Sequence, residues 1–531
     1  VAQLKLLLVF AVLAALHTWP MPSDPARLTR LDNHDTAFNT WVIAWVAHQL
    51  ANNPLDLFDA PIFYPASRAL AFSEHMAVQG AMTVPLEWLD ASPVLAYNLM
   101  VWLGLALSGF AMSRLVRTWT GSTIGGVVAG CLYAFNAYTL TSYAHLQALH
   151  LEFLPLVLYA FDRVLREPRT AHVLLLIVSF ALQALCSNYT MVMMSAALLA
   201  ALLVRPEPWR FDARLWLRLA AAGIAAGLLL LPFLLPYYHV RIEDGLVRTI
   251  DDVRIYSATW RDYLATGGRL HHTLWSHRVF EGHTPLFPGL TALALVALTA
   301  VSGVIWTDVR ARMALAFGAL GVFLSFGAWL PGYEWLHTHV TLLQGIRAVA
   351  RWGVLFLIAV AILAGYAVAA LESRWQSRRW WRVAAVGLIA LTTVEAIRAP
   401  LTMYRFDGVP DVYSRLARDD IRAMVVFPLF GGRQFDSNAP YLIHQTRHWR
   451  PMLNGYSSFA PPLFYSLADT LQAFPAPVAM DALRKHGISH VLLQREPLAR
   501  DFGAAALESL RTHADLEFIF EQDGVILYRV R

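Results

Sequence analysis

Charge is what this chain has least of. Asp, Glu, Lys and Arg make up 15% of its 531 residues, where an ordinary soluble domain carries roughly 25%. Hydrophobic residues make up 57%, more than a water-soluble fold can hide. Cysteine is nearly absent: Cys131 and Cys186 both fall inside apolar stretches, which excludes a disulfide framework and a CxxC metal or redox motif. A compact ligand spacing such as HExxH is missing, as are internal repeats and low-complexity segments. The formal charge is +5, but the basic residues sit in short clusters between apolar stretches and form no single patch. That pattern reads as membrane topology and argues against a nucleic-acid partner.

What is abundant is apolar sequence in blocks close to the 20 residues that a helix needs to cross about 30 Å of hydrocarbon. Such blocks lie near 4 to 19, 93 to 116, 122 to 140, 147 to 165, 171 to 187, 189 to 204, 216 to 236, 286 to 306, 312 to 330, 352 to 371 and 382 to 397. The first carries a lone Lys5, and no small-residue cleavage site follows, which favours an uncleaved span over a signal peptide. Short loops keep Arg and Lys on the cytoplasmic side. Arg114 and Arg117, then Arg163, Arg166 and Arg169, then Arg205, Arg210, Arg214 and Arg218, then Arg310 and Arg312, then Arg374, Arg378, Arg379 and Arg382 mark that side. The acid-rich loop 20 to 92 and the loops 237 to 285 and 331 to 350 fall opposite. From about residue 400 the long blocks stop. Short strand-like runs (424 to 429, 490 to 493, 525 to 530) alternate with helical patterns (477 to 486, 503 to 513). The expected fold is an α-helical polytopic membrane protein with about 11 transmembrane helices over 1–399 and a C-terminal extracytoplasmic α/β domain over 400–531. The N-terminus is expected in the cytoplasm and the tail outside.

The first outer loop holds the leading chemical candidates. Asp35, Thr36 and Asn39 open a segment whose Phe38, Trp41, Val42, Trp45 and Val46 share one helical face. Tryptophans suit a helix lying in the membrane interface, which would hold Asp35 just outside the hydrocarbon, although Asp35 is equally suited to capping that helix. Glu74 and His75 close the same loop. A carboxylate there can take a proton from an attacking hydroxyl, the three side chains could equally ligate a divalent cation such as Mg or Mn, and a plainly solvated acidic loop is the bland alternative. His145, Gln147 and His150 lie at the outer mouth of the fourth block, suited to a polar headgroup or to water alone; five residues apart, the two histidines do not share a helical face for a metal. Arg347 and Arg351 sit at the outer entrance of the tenth block, against the usual charge bias. If helical there, they share a face and can fork onto one phosphate, with snorkelling to membrane lipid as the competing reading.

The run DTAFNTWVIAWVAHQL, then IFYP, LAFSEH, HLQ, LFPG at 286 to 289 and IRAVARWG resembles bacterial members of the C-type (GT-C) membrane glycosyltransferases, relatives of protein mannosyltransferases and aminoarabinose transferases. The tail segment HWRPMLNGYSSFAPP is similar to their outer domains. The resemblance implies a sugar donor linked to polyprenyl phosphate or diphosphate, a glycan, lipid or protein acceptor, and an inner-membrane location with the tail periplasmic. It also implies an essential acid in the first outer loop, matched here by Asp35. Glu74 and His75 resemble a second acidic position, which the family places in a later loop; Asp251, Asp252, Asp262 and Glu281 stand in the corresponding loop here. On this reading Asp35 is the base, and Arg347 and Arg351, helped by His145, Gln147 and Asn39, hold the substrate and its leaving phosphate. A transporter or flippase would instead place charges at the bilayer midplane, and a non-catalytic scaffold would leave the loop acids solvated.

Overall fold

The computed structural model describes residues 2–205, 212–418 and 420–531, so Arg210 lies outside the described residues. Each apolar block carries a helix: Ala2–His17, Pro93–Thr120, Thr123–Ala134, Leu154–Arg166, Thr170–Cys186, Asn188–Leu203, Ala213–Glu243, Leu290–Val301, Val309–Ser325, Gly353–Trp375 and Arg379–Ala396. Among the described residues, four segments are long and apolar enough by length and composition to cross a membrane: Pro93–Thr120, Thr123–Thr141, Ala213–Glu243 and Val349–Trp375. Others are apolar but shorter. The 12 residues of Leu290–Val301 reach only about 18 Å, short of the roughly 30 Å of a hydrocarbon core. The blocks therefore correspond to helices without each being a full-length span.

Contacts along the chain divide it into two compact units, Val1–Asp24 with Leu99–Phe233 and Val247–Thr402, and Pro25–Asn98 with Leu234–Leu246 and Met403–Arg531. In the first unit, Gly353–Trp375 is the buried centre, packed by Thr123–Ala134, Leu290–Val301 and Val309–Ser325. Two backbones meet there without side chains between them: a Cβ on Gly125 would stand 2.6 Å from the Gly365 carbonyl oxygen. Ala213–Glu243 is the opposite case, with Leu217, Ile224, Leu228, Leu229 and Leu231 exposed, a surface that hydrocarbon accommodates and water does not. Arg166, Arg205 and Arg310, from three loops that the sequence assigned to one membrane side, converge on Asp162 at 3.2, 3.0 and 2.8 Å. The Asp162 and Arg205 side chains are fully buried.

The second unit is built around a four-stranded sheet in the order β3-β4-β6-β5. Strands β3 (Met424–Phe427) and β4 (His490–Gln494) are parallel, while β5 (Leu516–Gln522) and β6 (Val525–Val530) form an antiparallel hairpin whose β6 pairs with β4. A second, two-stranded sheet joins β1 (Leu28–Thr29) to β2 (Tyr404–Arg405). The helix His34–Asn52 packs against Ala77–Trp88 and Ala439–Gln445. Its aromatic face does not lie open to a membrane interface. Trp41 is fully buried and donates its indole N–H to Gln445 Oε1 at 2.9 Å, and Trp45 donates to the Leu57 carbonyl at 2.9 Å. Protein acceptors thus satisfy the polar edge that had suggested an interfacial position. The segment around IFYP runs beside the tail, with Met452 N donating to Pro61 O and Tyr64 N to Met452 O.

Candidate functional site

Of the candidate residues, His145, Gln147, Arg347 and Arg351 belong to the first unit, and Asp35, Asn39, Glu74 and His75 to the second.

The segment carrying the two arginines is not a continuous helix. Ile346 is extended, Val349–Trp352 forms a 3-10 turn, and the α-helix begins only at Gly353. The arginines consequently do not share a helical face. Arg347 lies over the ring of Tyr256 and Arg351 over that of Tyr189, each guanidinium carbon 4.8 Å from the ring centroid. The Tyr189 hydroxyl accepts from the backbone N–H of Arg347 (3.2 Å) and of Ala348 (3.4 Å), which fixes the turn against the start of helix Asn188–Leu203. A third arginine belongs to the group. Burial, followed by the nearby Arg347 charge, lowers the pKa of Arg248 from its ordinary value, with Tyr189, Asp252 and Tyr256 acting the other way. Asp252 itself caps the short helix Ile250–Ile255 by accepting from Thr249. The cluster therefore holds three guanidiniums around two phenol rings with one nearby carboxylate already engaged.

Arg351 also lines a small cleft with Tyr138, Gln147, Ser187, Tyr189 and Thr190. Gln147 sits in the 3-10 turn Leu146–Ala148, and among the described residues its buried Oε1 has no hydrogen-bond partner. An acceptor left open beside an arginine suits a hydroxyl-bearing ligand. His145 precedes that turn and is partly exposed, while His150 is fully buried, with Nε2 3.0 Å from Met100 O and Nδ1 2.9 Å from Glu152 Oε1. His150 is thus held by protein and does not face a headgroup or water.

In the second unit, Asp35 stands in the first turn of His34–Asn52, but the cap is Asn33, whose side chain accepts from Thr36 N. The Asp35 carboxylate accepts instead from Tyr456 Oη at 2.7 Å. His34 Nδ1 lies 3.1 Å from Asp436 Oδ2, and the Tyr456 ring meets Phe38 and Phe435. Asn39 is buried and donates to the Asp35 backbone carbonyl, a bond within its own helix. Glu74 and His75 are both buried. Burial lowers the His75 pKa to about 4, so the ring is neutral near pH 7, and its Nδ1 accepts from Ala77 N at the start of Ala77–Trp88.

Three of the acids in the loop 237 to 285 are committed: Asp252 as above, Asp251 to Arg254, and Asp262 to Thr259 and Thr284. Glu281 is exposed. Among the described residues, no group of three or more His, Cys, Asp or Glu side chains is arranged to hold a metal ion. Sequence reasoning missed Arg248, Tyr189, Tyr256 and Tyr456, each an unremarkable residue until the fold brings it to its partner.

The fold is similar to that of a solved arabinofuranosyltransferase. The structure of the arabinofuranosyltransferase AftD from Mycobacteria matches 100% of this chain with a TM-score of 0.63 and 14% sequence identity, a likeness of fold. This chain spans 40% of that protein's length. Two structures of the oligosaccharyltransferase of Archaeoglobus fulgidus, one of them AglB with an inhibitory peptide and a dolichol-phosphate, match 99% of this chain and 74% of their own. Their identities are 13% and 12% and both TM-scores are 0.49, so the fold assignment stands on the first likeness. No family model and no curated protein sequence matches the chain.

Proposed function

We propose that the protein transfers a sugar from a polyprenyl-phosphate or polyprenyl-diphosphate donor to an acceptor at the outer face of the bacterial cytoplasmic membrane, with inversion. The observation that carries this reading is the gathering of Arg248, Arg347 and Arg351 about Tyr189 and Tyr256, beside a cleft holding the open Gln147 acceptor. An excess of guanidinium over carboxylate suits a phosphate, and the fold likeness to an arabinofuranosyltransferase supports the sugar.

In the proposed reaction an acceptor hydroxyl oxygen bonds to the anomeric carbon as the carbon–oxygen bond to the lipid phosphate breaks. The phosphate leaves with the electron pair, and the hydroxyl proton passes to the Asp35 carboxylate. Charge that grows on the leaving phosphate is met by Arg347 and Arg351, the interaction expected to contribute most. Asp35→Asn should abolish transfer while leaving the fold and donor binding intact. Gln at both 347 and 351 should weaken binding of a polyprenyl phosphate by tenfold or more, on the order of one charge-assisted hydrogen bond. Wild-type transfer by the Asn variant removes the base, and wild-type donor affinity in the double variant removes the clamp.

A further inference from the structure

A second cleft, wholly within the second unit, has a different chemical character. It is a shallow cleft open to solvent, lined by Glu87, Asp90, Thr446, Arg447 and Trp449 together with alanines. Arg447 Nη1 meets Asp90 Oδ1 at 2.8 Å, and Glu87 Oε1 lies 3.0 Å from His48 Nδ1. His48 in turn stacks on the Trp449 indole at 4.9 Å, with Trp45 inclined against it at 5.4 Å. The polar groups are thereby held in place before any ligand arrives.

Two of the lining residues stand in backbone conformations that their side chains disfavour. Asp90 and Trp449 both have φ of +49°. Asp90 follows helix Ala77–Trp88, where Asp90 N donates to Glu87 O and Ala91 N to Leu86 O. Trp449 follows Ala439–Gln445, with its N–H on Gln445 O. These are positions where glycine ends a helix without strain. A tryptophan in that conformation is unusual, and the strain places an indole on the cleft wall.

The cleft carries two carboxylates against one guanidinium, so it lacks the cationic excess that would draw a phosphate. Carboxylates accept from hydroxyls and a guanidinium donates to them, and an indole takes the apolar face of a pyranose or furanose ring. We infer that this cleft binds a neutral saccharide. As the acceptor of the proposed transfer that saccharide is a glycan, an assignment which rests on the transferase reading, whereas the binding does not.

The test uses the full-length protein in nanodiscs and neutral trisaccharides of mannose, glucose and arabinose, followed by saturation-transfer NMR and calorimetry. At least one should bind. Glu87→Gln combined with Arg447→Gln should weaken it at least about tenfold, and Trp449→Gly, which relieves the backbone while removing the ring, should abolish it. Both variants should bind polyprenyl phosphate as the wild type does. Loss of saccharide binding in a protein that shows no transferase activity upholds the cleft and defeats only the transferase reading. Binding unchanged in both variants, no trisaccharide bound, or preferential binding of vesicles rich in phosphatidylglycerol would overturn the inference.

Discussion

Tyr456 holds the Asp35 carboxylate at 2.7 Å while its own ring is wedged between Phe38 and Phe435. A hydrogen bond from a phenol packed in this way aims a carboxylate without cancelling its charge. Tyr456→Phe should therefore lower kcat by about tenfold, the worth of one hydrogen bond to a charged group, with KM for the lipid donor unchanged. A parallel rise in KM would show that Tyr456 shapes donor binding instead. Asp35 was legible in the sequence because it opens a recognisable amphipathic helix. Tyr456 was not, because it is separated from Asp35 by 421 positions and no periodicity links them. The two arginines stood out as candidates because the expected topology set their charge against the usual bias, but their shared helical face was not realised. The chain stays extended through Ile346 so that Tyr189 can accept from the Arg347 and Ala348 N–H groups.

Helices and strands were largely readable from block length and alternation, and the observed β6, Val525–Val530, coincides with the expected run. The strand Leu516–Gln522 escaped because it lies at the sheet edge, where Glu517 and Glu521 blunt its apolar pattern. The LFPG motif has a structural explanation: Gly289 takes φ of +100° before helix Leu290–Val301, and Glu395, from a helix 104 residues later, accepts from Thr291 N. At another buried charge, Asp162 is shared among three arginines, so Asp162→Asn should destabilise the bundle by about 3–5 kcal/mol, read as a lowered Tm in detergent. A second prediction concerns acid. His448 is pushed down to about 3 by burial and by the nearby His444 and Arg450, and His444 to about 4 by burial. Above pH 6.5 both are neutral folded or unfolded, and stability does not depend on them. Between pH 6.5 and about 4 only the unfolded chain takes up the protons, so stability falls with pH by about 1.4 kcal/mol per unit for each histidine. Melting at pH 7.5 and pH 5 should show that loss, and His448→Gln should reduce it.

At the scale of the whole molecule, the second unit is assembled from stretches far apart in sequence, with Trp41 bonded to Gln445, Ser458 to the Phe72 carbonyl and Arg447 to Asp90. Alternation and block length report only on neighbours along the chain, so this joining of loop and tail left no trace in them. A chain stopped after residue 402 should expose the loop between 30 and 75 to proteolysis, while the same bonds are protected in the full chain. Equal protection in both would mean that the loop folds without the tail.

That dependence sets a clock on biogenesis. Once Asn98 has left the ribosome, the residues up to Met403 must still be made, which takes roughly 15–60 s at 5–20 residues per second. Through that interval Trp41 has no Gln445 to meet, and the newborn helix must find temporary shelter in lipid or a chaperone until its distant partner is synthesised.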